Sequence, residues 1–181
     1  MKVKITYFVH GTTLDNERNL ATGWVPGELS ALGKKQAEEL GKLVGSMQFD
    51  AVFCSDLQRA IDSANLAFGS KYAVVSDRRL REIHYGDFTQ KPTDMCEKDL
   101  VKYLERPFPR GESYRDVERR MSDFLKFLQK SYPGKHIAVM AHRGPQLALD
   151  VLLKGKSWKQ AMEEDWRHTK SWQAGWEYVL E

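Results

Sequence analysis

Short apolar runs of β-strand type alternate along this chain with longer segments of helical periodicity. The first run, Val3 to Val9, is rich in β-forming residues and stops abruptly at His10-Gly11. Two further runs, Phe49 to Cys54 and Tyr72 to Val75, each follow a segment in which apolar residues recur at helical spacing. The order strand, helix, strand, helix, strand is typical of a parallel sheet with right-handed crossovers. This order predicts an α/β fold.

The second half of the chain continues the pattern. Ser113, with Asp116 three residues later, resembles a capping box and predicts a helix start. Ile137 to Ala141 reads as a short buried strand, and Pro145 fits the first position of a helix over Gln146 to Leu153. Apolar residues alternate near the carboxyl end as in an edge strand: Trp176, Tyr178 and Leu180.

Two segments lack regular periodicity. Thr12 to Leu29 would be a long irregular loop, and loops of this length in compact domains are usually functional or disordered. Between Asp77 and Glu112, Gly86 and three prolines interrupt the pattern. We therefore predict a single domain over residues 1–181, with a short lid or insertion around residues 83–112.

Composition limits the partners and the compartment. A chain of 181 residues that is 41% hydrophobic can bury a substantial core, and a net charge of +3 is too small to indicate nucleic-acid binding. No apolar run approaches membrane-spanning length, and the amino-terminal segment lacks the apolar core of a signal peptide. Cys54 and Cys96 show no metal-ligand spacing. We expect a cytoplasmic protein with reduced thiols and no nucleic-acid or membrane partner.

Three predicted strands end in residues suited to phosphate chemistry. His10-Gly11 follows one strand, Arg59 lies just beyond a second, and His142-Arg143-Gly144 follows a third. The carboxyl ends of parallel strands meet at one edge of a sheet, so two imidazoles and a guanidinium should converge there. Helix N-termini at that edge would add N–H groups that favour anions. A neutral imidazole can attack phosphorus, since its ordinary pKa near ~6.5 leaves it largely deprotonated at neutral pH.

Six short motifs follow one another in a fixed order over nearly the whole chain. They are His10-Gly11 with Thr13 and Asn16; Gly23-Trp24 before Leu29-Ser30-Ala31-Leu32-Gly33 and Gln36-Ala37; Cys54-Ser55-Asp56-Leu57 with Arg59-Ala60; Leu80-Arg81-Glu82 with Gly86; Gly111-Glu112-Ser113; and Ala141-His142. In this order they resemble the histidine phosphatase superfamily, also called the phosphoglycerate mutase-like family. The resemblance implies a three-layer α/β/α sandwich whose mostly parallel central sheet has an antiparallel edge strand.

The resemblance also implies roles for individual residues. His10 looks like the nucleophile that becomes phosphohistidine, and His142 looks like the second pocket histidine, which binds the transferring phosphoryl group. Arg59 looks like the phosphate-binding arginine. Glu82 looks like the general acid that protonates the leaving oxygen and later activates water, with Asp87 and Glu112 as other candidates. The residues expected to contact substrate are Gly11, Thr13, Asn16, Thr22, Gly23, Tyr85, Arg143 and Gly144.

One position departs from the family pattern. Family members have an arginine directly before the nucleophile, and this chain has Val9. Arginines in comparable phosphoryl-transfer roles contribute on the order of 10³ to 10⁵ in rate. One hypothesis is that Arg143 reaches back into the pocket and restores the charge. The alternative is that Val9 marks a weakened pocket that only binds phosphate.

The implied activity is that of a phosphomonoesterase acting on a small phosphorylated metabolite, without metal or cofactor. Phosphoglycerate mutase-type transfer remains the close alternative, because residues 82–86 are similar to the acid-bearing segment of the mutase branch. A phosphate-binding homologue with little turnover and an enzyme acting on phosphoproteins also stay open. The arginines within 78–81 and 106–115 could supply a second anionic site or form a solvated basic lid. The sequence leaves the oligomeric state undetermined.

Overall fold

The computed structural model describes residues 1–169 and 174–181, and within these a five-stranded sheet forms the centre of the fold. Its strands are β1 (Val3–Val9), β2 (Ala51–Cys54), β3 (Val74–Ser76), β4 (His136–Ala141) and β5 (Trp176–Leu180). The spatial order is β3-β2-β4-β1-β5. The pairs β2–β3, β2–β4 and β1–β4 are parallel, whereas β5 pairs antiparallel with β1 at the edge. The predicted mostly parallel sheet with an antiparallel edge strand is therefore confirmed.

Helices connect and cover the strands. The α-helices are α1 (Leu14–Glu17), α2 (Ala31–Leu43), α3 (Gln58–Phe68), α4 (Thr93–Glu97), α5 (Tyr114–Ser131), α6 (Arg143–Lys154), α7 (Trp158–Glu163) and α8 (Trp166–Thr169). Short 3-10 helices span Arg78–Leu80, Gly86–Phe88 and Leu100–Tyr103. In the described part of the chain, no helix has the length and apolar character needed to cross a bilayer.

The three inner strands, β1, β2 and β4, are buried on both faces, so their alternating side chains divide between two cores. Ile5 and Tyr7 of β1 belong to the core covered by α5 and α6, whereas Phe8 belongs to the core covered by α2 and α3. Val139 and Met140 of β4 divide in the same way. This arrangement gives the three layers of the predicted α/β/α sandwich.

Helix boundaries test the capping arguments. Ser113 caps α5 with the predicted capping box, in which Asp116 bonds back to Ser113. The prediction for α6 is wrong at its start: the helix begins at Arg143, and Pro145 occupies the third position rather than the first. A proline fits there because the first four N–H groups of a helix have no intrahelical acceptor. His142 is thus the N-cap, which places it at the point where β4 turns into α6.

The long first loop is more regular than predicted, because it contains the single-turn helix α1. It is also joined to the second irregular segment. Ala21 donates from its main-chain N–H to the carbonyl of Lys91 (2.9 Å), and Gln90 donates to the carbonyl of Ala21 (2.7 Å). The assignment of residues 83–112 as a lid within a single domain stays a prediction.

Candidate active site

The parallel pairing of β1 with β4 brings the two histidines together. Val9 is the register partner of Ala141, and His10 donates its main-chain N–H to the carbonyl of Ala141 at 3.1 Å. The ring centroids of His10 and His142 are 5.0 Å apart, with an angle of 64° between the rings. The convergence predicted from two strand ends is thus present at the carboxyl edge of the sheet.

The hydrogen bonds of His10 define its tautomer. Nδ1 lies 2.7 Å from the carbonyl oxygen of Gly11, which can only accept, so Nδ1 carries the proton. Nε2 accepts from Nε of Arg59 at 3.3 Å, so its lone pair is unprotonated. Burial and the neighbouring charge of Arg59 lower the pKa of His10 to about 3, against a smaller opposing effect of the Gly11 carbonyl. The ring is therefore neutral at pH 7, with a nucleophilic nitrogen beside a guanidinium.

The first loop holds Arg59 in position. Arg59 lies in the first turn of α3, is buried, and donates from Nη2 to the carbonyl of Gly23 at 2.8 Å. Nη1 donates to the carbonyls of Val25 (2.9 Å) and Pro26 (3.3 Å). Burial lowers the pKa of Arg59 to about 10, so the side chain stays cationic at pH 7. These carbonyls fix the guanidinium next to His10.

His142 has no exposed surface, and neither of its ring nitrogens has a hydrogen-bond partner among the described residues. Its main chain is fixed by Tyr7, whose hydroxyl donates to the His142 carbonyl (2.6 Å) and accepts from the His142 N–H (2.9 Å). Burial, followed by the charge of Arg59, lowers the pKa of His142 well below its usual value. A neutral ring with one free N–H can donate to an oxyanion.

Glu82 is held at the N-terminus of α6. Its Oε1 accepts from the main-chain N–H groups of Ile83 (2.8 Å) and Gly144 (2.9 Å). Oε2 has no hydrogen-bond partner among the described residues, so a proton on this carboxyl would sit on Oε2. We expected the first N–H groups of this helix to bind the anionic substrate. The Gly144 N–H instead binds the Glu82 side chain of the protein itself.

The other candidate acids lie elsewhere. Asp87 pairs with Arg110, and Glu112 pairs with Arg120 at 3.1 Å while accepting from the His84 N–H at 3.0 Å. Neither lines the cavity beside His10. Within the described residues, Glu82 is the one carboxylate in that cavity wall.

A cavity of about 580 Å³ opens beside His10. The predicted site residues that line it are His10, Asn16, Thr22, Gly23, Arg59, Glu82, Tyr85 and Arg143. Asn16 uses its Oδ1 to accept from the Thr13 N–H (3.0 Å), which leaves its amide N–H groups for a ligand. The Thr22 hydroxyl is buried and has no partner among the described residues.

Three residues predicted to contact substrate bond to other parts of the protein. Thr13 is completely buried, because its hydroxyl caps α1 by accepting from the Asn16 N–H at 3.1 Å. Gly11 directs its N–H to Ser63 Oγ at 3.0 Å, and Gly144 directs its own to Glu82. None of the three lines the cavity of about 580 Å³, although Gly11 and His10 both line a second cavity of about 470 Å³. Their contact with substrate stays a prediction.

Arg143 lies in the cavity wall, but its contacts do not support the hypothesis that it replaces the arginine missing at Val9. Nε donates to Asp165 Oδ2 at 2.5 Å, and Nη1 donates to the Tyr114 hydroxyl at 3.4 Å. Its charge acts on the pKa of Tyr114 and Tyr85, whereas Arg59 is the arginine that acts on the pKa of both histidines. The Arg143 guanidinium is therefore held by Asp165, the residue before α8, and by Tyr114.

No role for α8 was expected from the sequence, although Trp166 and Arg167 line the cavity. An acidic, an aromatic and a basic residue in succession (Asp165-Trp166-Arg167) were the available signal. The arginines proposed for a second anionic site lie outside the cavity wall, and four of them form ion pairs. These pairs are Arg79–Asp77, Arg81–Asp56, Arg110–Asp87 and Arg115–Glu105.

The described residues contain no cluster of three or more histidine, cysteine or carboxylate side chains that could hold a metal ion. Cys54 and Cys96 are free and buried. Burial raises the pKa of the Cys54 thiol to about 12 and that of Cys96 to about 11, which suits unreactive core residues.

The model of one protein family, the histidine phosphatase superfamily (branch 1), matches residues 7–177. Two histidines meeting at the carboxyl edge of a mostly parallel sheet agree with this match. The chain belongs to the histidine phosphatase superfamily, and its curated relatives are phosphatases and mutases.

Individual relatives cover the chain to different extents. Fructose-2,6-bisphosphatase TIGAR of Xenopus tropicalis is 33% identical over 134 residues, which is 68% of this chain and 49% of TIGAR. The adenosylcobalamin/α-ribazole phosphatase of Escherichia coli K12 is 29% identical over 144 residues, or 75% of this chain and 71% of that protein. A 2,3-bisphosphoglycerate-dependent phosphoglycerate mutase of Streptococcus agalactiae is 40% identical over 95 residues, or 49% of this chain and 41% of the mutase. This chain thus matches about half or less of the length of two of these relatives.

Among solved structures, the mycobacterial glucosyl-3-phosphoglycerate phosphatase superposes with a TM-score of 0.78 at 26% identity. The match covers 90% of this chain and 84% of that structure. The fold of this chain is therefore that of its phosphatase relatives.

Proposed function

We propose that this protein is a phosphomonoesterase that hydrolyses a small phosphorylated metabolite through a phosphohistidine on His10. The observation that carries the proposal is the state of His10: its Nδ1 proton is held by the Gly11 carbonyl, and its Nε2 lone pair faces the Arg59 guanidinium. A histidine held in one tautomer beside a cation has the form needed to attack a phosphoryl group. Membership in a superfamily of phosphatases and mutases supports the same chemistry.

In the first step, Nε2 of His10 attacks phosphorus and the bond to the leaving oxygen breaks. The leaving oxygen takes a proton from Oε2 of Glu82. Arg59 donates to the phosphoryl oxygens as charge develops, and His142 donates from its free ring nitrogen. The Gly11 carbonyl keeps accepting from Nδ1, which stabilises the cationic ring of the phosphohistidine.

In the second step, water attacks the phosphohistidine and the N–P bond breaks. The Glu82 carboxylate takes the proton of the attacking water, so each group returns to its starting state when phosphate leaves. Free phosphate is the product, and no metal or cofactor enters either step.

Labelling the nucleophile tests the proposal. Wild type mixed with a ³²P-labelled phosphomonoester and quenched in alkaline denaturant should carry label, whereas His10→Asn should not. His168→Asn is the matched control, since His168 is exposed and lies outside the cavity wall. Label that persists in His10→Asn would contradict the proposal. Phosphate bound without labelling of wild type would identify a phosphate-binding homologue with little turnover.

The similarity to a phosphoglycerate mutase keeps transfer to a second substrate as an alternative. In that reaction a hydroxyl of the product, rather than water, would accept the phosphoryl group from His10. Incubation with 3-phosphoglycerate, with and without 2,3-bisphosphoglycerate, separates the two. Release of inorganic phosphate supports the phosphatase, and formation of 2-phosphoglycerate that depends on the bisphosphate supports the mutase.

A further inference from the structure

The buried side-chain atoms that lack a hydrogen-bond partner concentrate at one place. In residues 1–169 and 174–181 these atoms are Thr22 Oγ1, Nδ1 and Nε2 of His142, Arg143 Nη2 and Trp166 Nε1. Thr22, Arg143 and Trp166 line the cavity beside His10, and the His142 ring lies against His10. Buried polar groups are nearly always paired in native proteins, so unpaired ones grouped around a cavity indicate the polar atoms of a ligand.

These atoms divide into two groups. Thr22 lines the cavity with His10 and Arg59, and the His142 ring lies 5.0 Å from that of His10, where the phosphoryl group is transferred in the proposed reaction. Arg143 and Trp166 belong to the wall built from α6 and α8. Because the Arg143 guanidinium is held by Asp165 and Tyr114, its unpaired Nη2 is fixed on this wall.

The wall formed by α6 and α8 offers donors. The guanidinium of Arg143 and the indole of Trp166 can donate hydrogen bonds but cannot accept them. Arg167 adds a second guanidinium to the cavity wall, where it pairs with Asp165 (3.4 Å) and with Glu97. Those two carboxylates offset the formal charge, so the wall would select a ligand by directed N–H groups rather than by net charge.

We propose that Arg143, Trp166 and Arg167 form a second subsite, which binds an oxyanion carried by the substrate whose phosphoryl group lies at His10. The oxyanion is a carboxylate or a second phosphate, since both present several acceptor oxygens to converging N–H donors. The Arg143 side chain is only 6% exposed and is held by Asp165, so its donors are preformed, whereas the Arg167 side chain is 32% exposed. The inference rests on the proposed function for the placement of the first phosphate.

Three substrates on one carbon skeleton test the subsite: glycerol 3-phosphate, 3-phosphoglycerate and glycerol 1,3-bisphosphate. Their dissociation constants are measured by calorimetry with His10→Asn, so that binding is read without turnover. We expect the carboxylate or the bisphosphate to bind at least about tenfold more tightly than glycerol 3-phosphate, the scale of one or more hydrogen bonds to a charged group. The ligand with the larger ratio identifies the oxyanion.

Variants assign the preference to named donors. Trp166→Phe removes the indole N–H but keeps an aromatic ring, and Arg167→Gln removes a charge; each, added to His10→Asn, should reduce the ratio by about threefold or more. Trp158→Phe and Arg119→Gln are the matched controls, because the Trp158 N–H already bonds to Glu118 and Arg119 pairs with Asp116 outside the cavity wall. Both controls, also added to His10→Asn, should keep the ratio measured for His10→Asn alone. Arg143→Lys, also added to His10→Asn, is a third test and should likewise reduce the ratio. If Arg143→Lys does not fold, the ratio measured for Trp166→Phe decides whether the subsite exists.

Failure of the subsite and failure of the proposed function give different results. A ratio near one in the His10→Asn background overturns the subsite, and ³²P labelling of His10 can still succeed in that case. A tenfold ratio that Trp166→Phe and Arg167→Gln leave intact also overturns it. A ratio that responds to both variants, together with no label on His10, supports the subsite and refutes phosphohistidine chemistry.

Discussion

Gly144 controls the position of the proposed general acid, and its replacement by alanine makes a sharp test. A Cβ built on Gly144 would lie 2.4 Å from Oε1 of Glu82, far inside van der Waals contact. The carboxyl group would have to leave the two N–H groups that hold it, those of Ile83 (2.8 Å) and Gly144 (2.9 Å). Gly144→Ala should therefore displace Glu82 without changing its chemistry.

The size of the effect follows from the lost interactions. A positioned general acid contributes roughly 10² to 10⁴ in rate, so kcat/KM for an alkyl phosphate, which reports phosphoryl transfer to His10 and not the later attack of water, should fall by about that factor. An aryl ester with a good leaving group, such as para-nitrophenyl phosphate, needs little protonation and should lose far less. Leaving the two N–H donors without their acceptor should also reduce the free energy of unfolding by about 1–3 kcal/mol. Steady-state kinetics on both esters and urea unfolding measure these quantities.

A double-mutant cycle checks that Gly144→Ala acts through Glu82. If it does, Gly144→Ala combined with Glu82→Gln should be no slower on the alkyl ester than Glu82→Gln alone. Fully additive losses would refute the reasoning. Equal losses on the alkyl and aryl esters would refute it as well, because a displaced acid must discriminate between leaving groups.

Three further changes test the support of the site. Tyr7→Phe removes the hydroxyl that joins the N–H and carbonyl of His142 and should lower the free energy of unfolding by about 1–3 kcal/mol in urea denaturation. Tyr132→Phe, which removes a tyrosine hydroxyl outside the site, is the matched control and should lower that free energy by less. Arg59→Lys keeps the positive charge but loses the planar guanidinium and its paired N–H donors. The rate of His10 labelling in rapid-quench experiments should therefore fall by at least about 10²-fold, and an unchanged rate would contradict the role of Arg59. Because burial lowers the pKa of His142 in the folded protein, below pH ~6.5 the unfolded chain takes up a proton on this residue and the folded protein does not. The contribution of His142 to the free energy of unfolding is therefore fully present above that pH and falls by about 1.4 kcal/mol for each pH unit below it. Urea unfolding of wild type and His142→Asn between pH 7 and 5 should show that part of the slope only in wild type.

Strand ends and helix caps could be predicted because they depend on local sequence. The β1 run ends at His10 as predicted, and Ser113 with Asp116 forms the predicted capping box. Parallel pairing then brings His10 to His142, because strands that run the same way end at the same edge. The convergence of His10, His142 and Arg59 could therefore be predicted from the order of strands, whereas Glu82 was expected from the family resemblance alone.

Side-chain direction could not be predicted in the same way. Arg143 follows His142 directly, yet its guanidinium bonds to Asp165, which lies 22 residues further along the chain. Thr13 follows the nucleophile closely but turns inward to cap α1. Such contacts depend on how distant elements pack, and neither periodicity nor motif order encodes them.

The hydrogen bonds of Arg59 have a consequence for the chemical selectivity of the resting protein. A guanidinium has five N–H groups. Two on Nη1 are taken by the carbonyls of Val25 and Pro26, one on Nη2 by Gly23, and the one on Nε by the His10 lone pair. An arriving phosphoryl oxygen can take the remaining Nη2–H and draw the Nε–H away from the imidazole. Arg59 thus masks the nucleophilic nitrogen of His10, and the electrophile that unmasks it is one that brings oxygens to the same edge of the guanidinium. Uncharged alkylating reagents, which bring none, should find His10 protected.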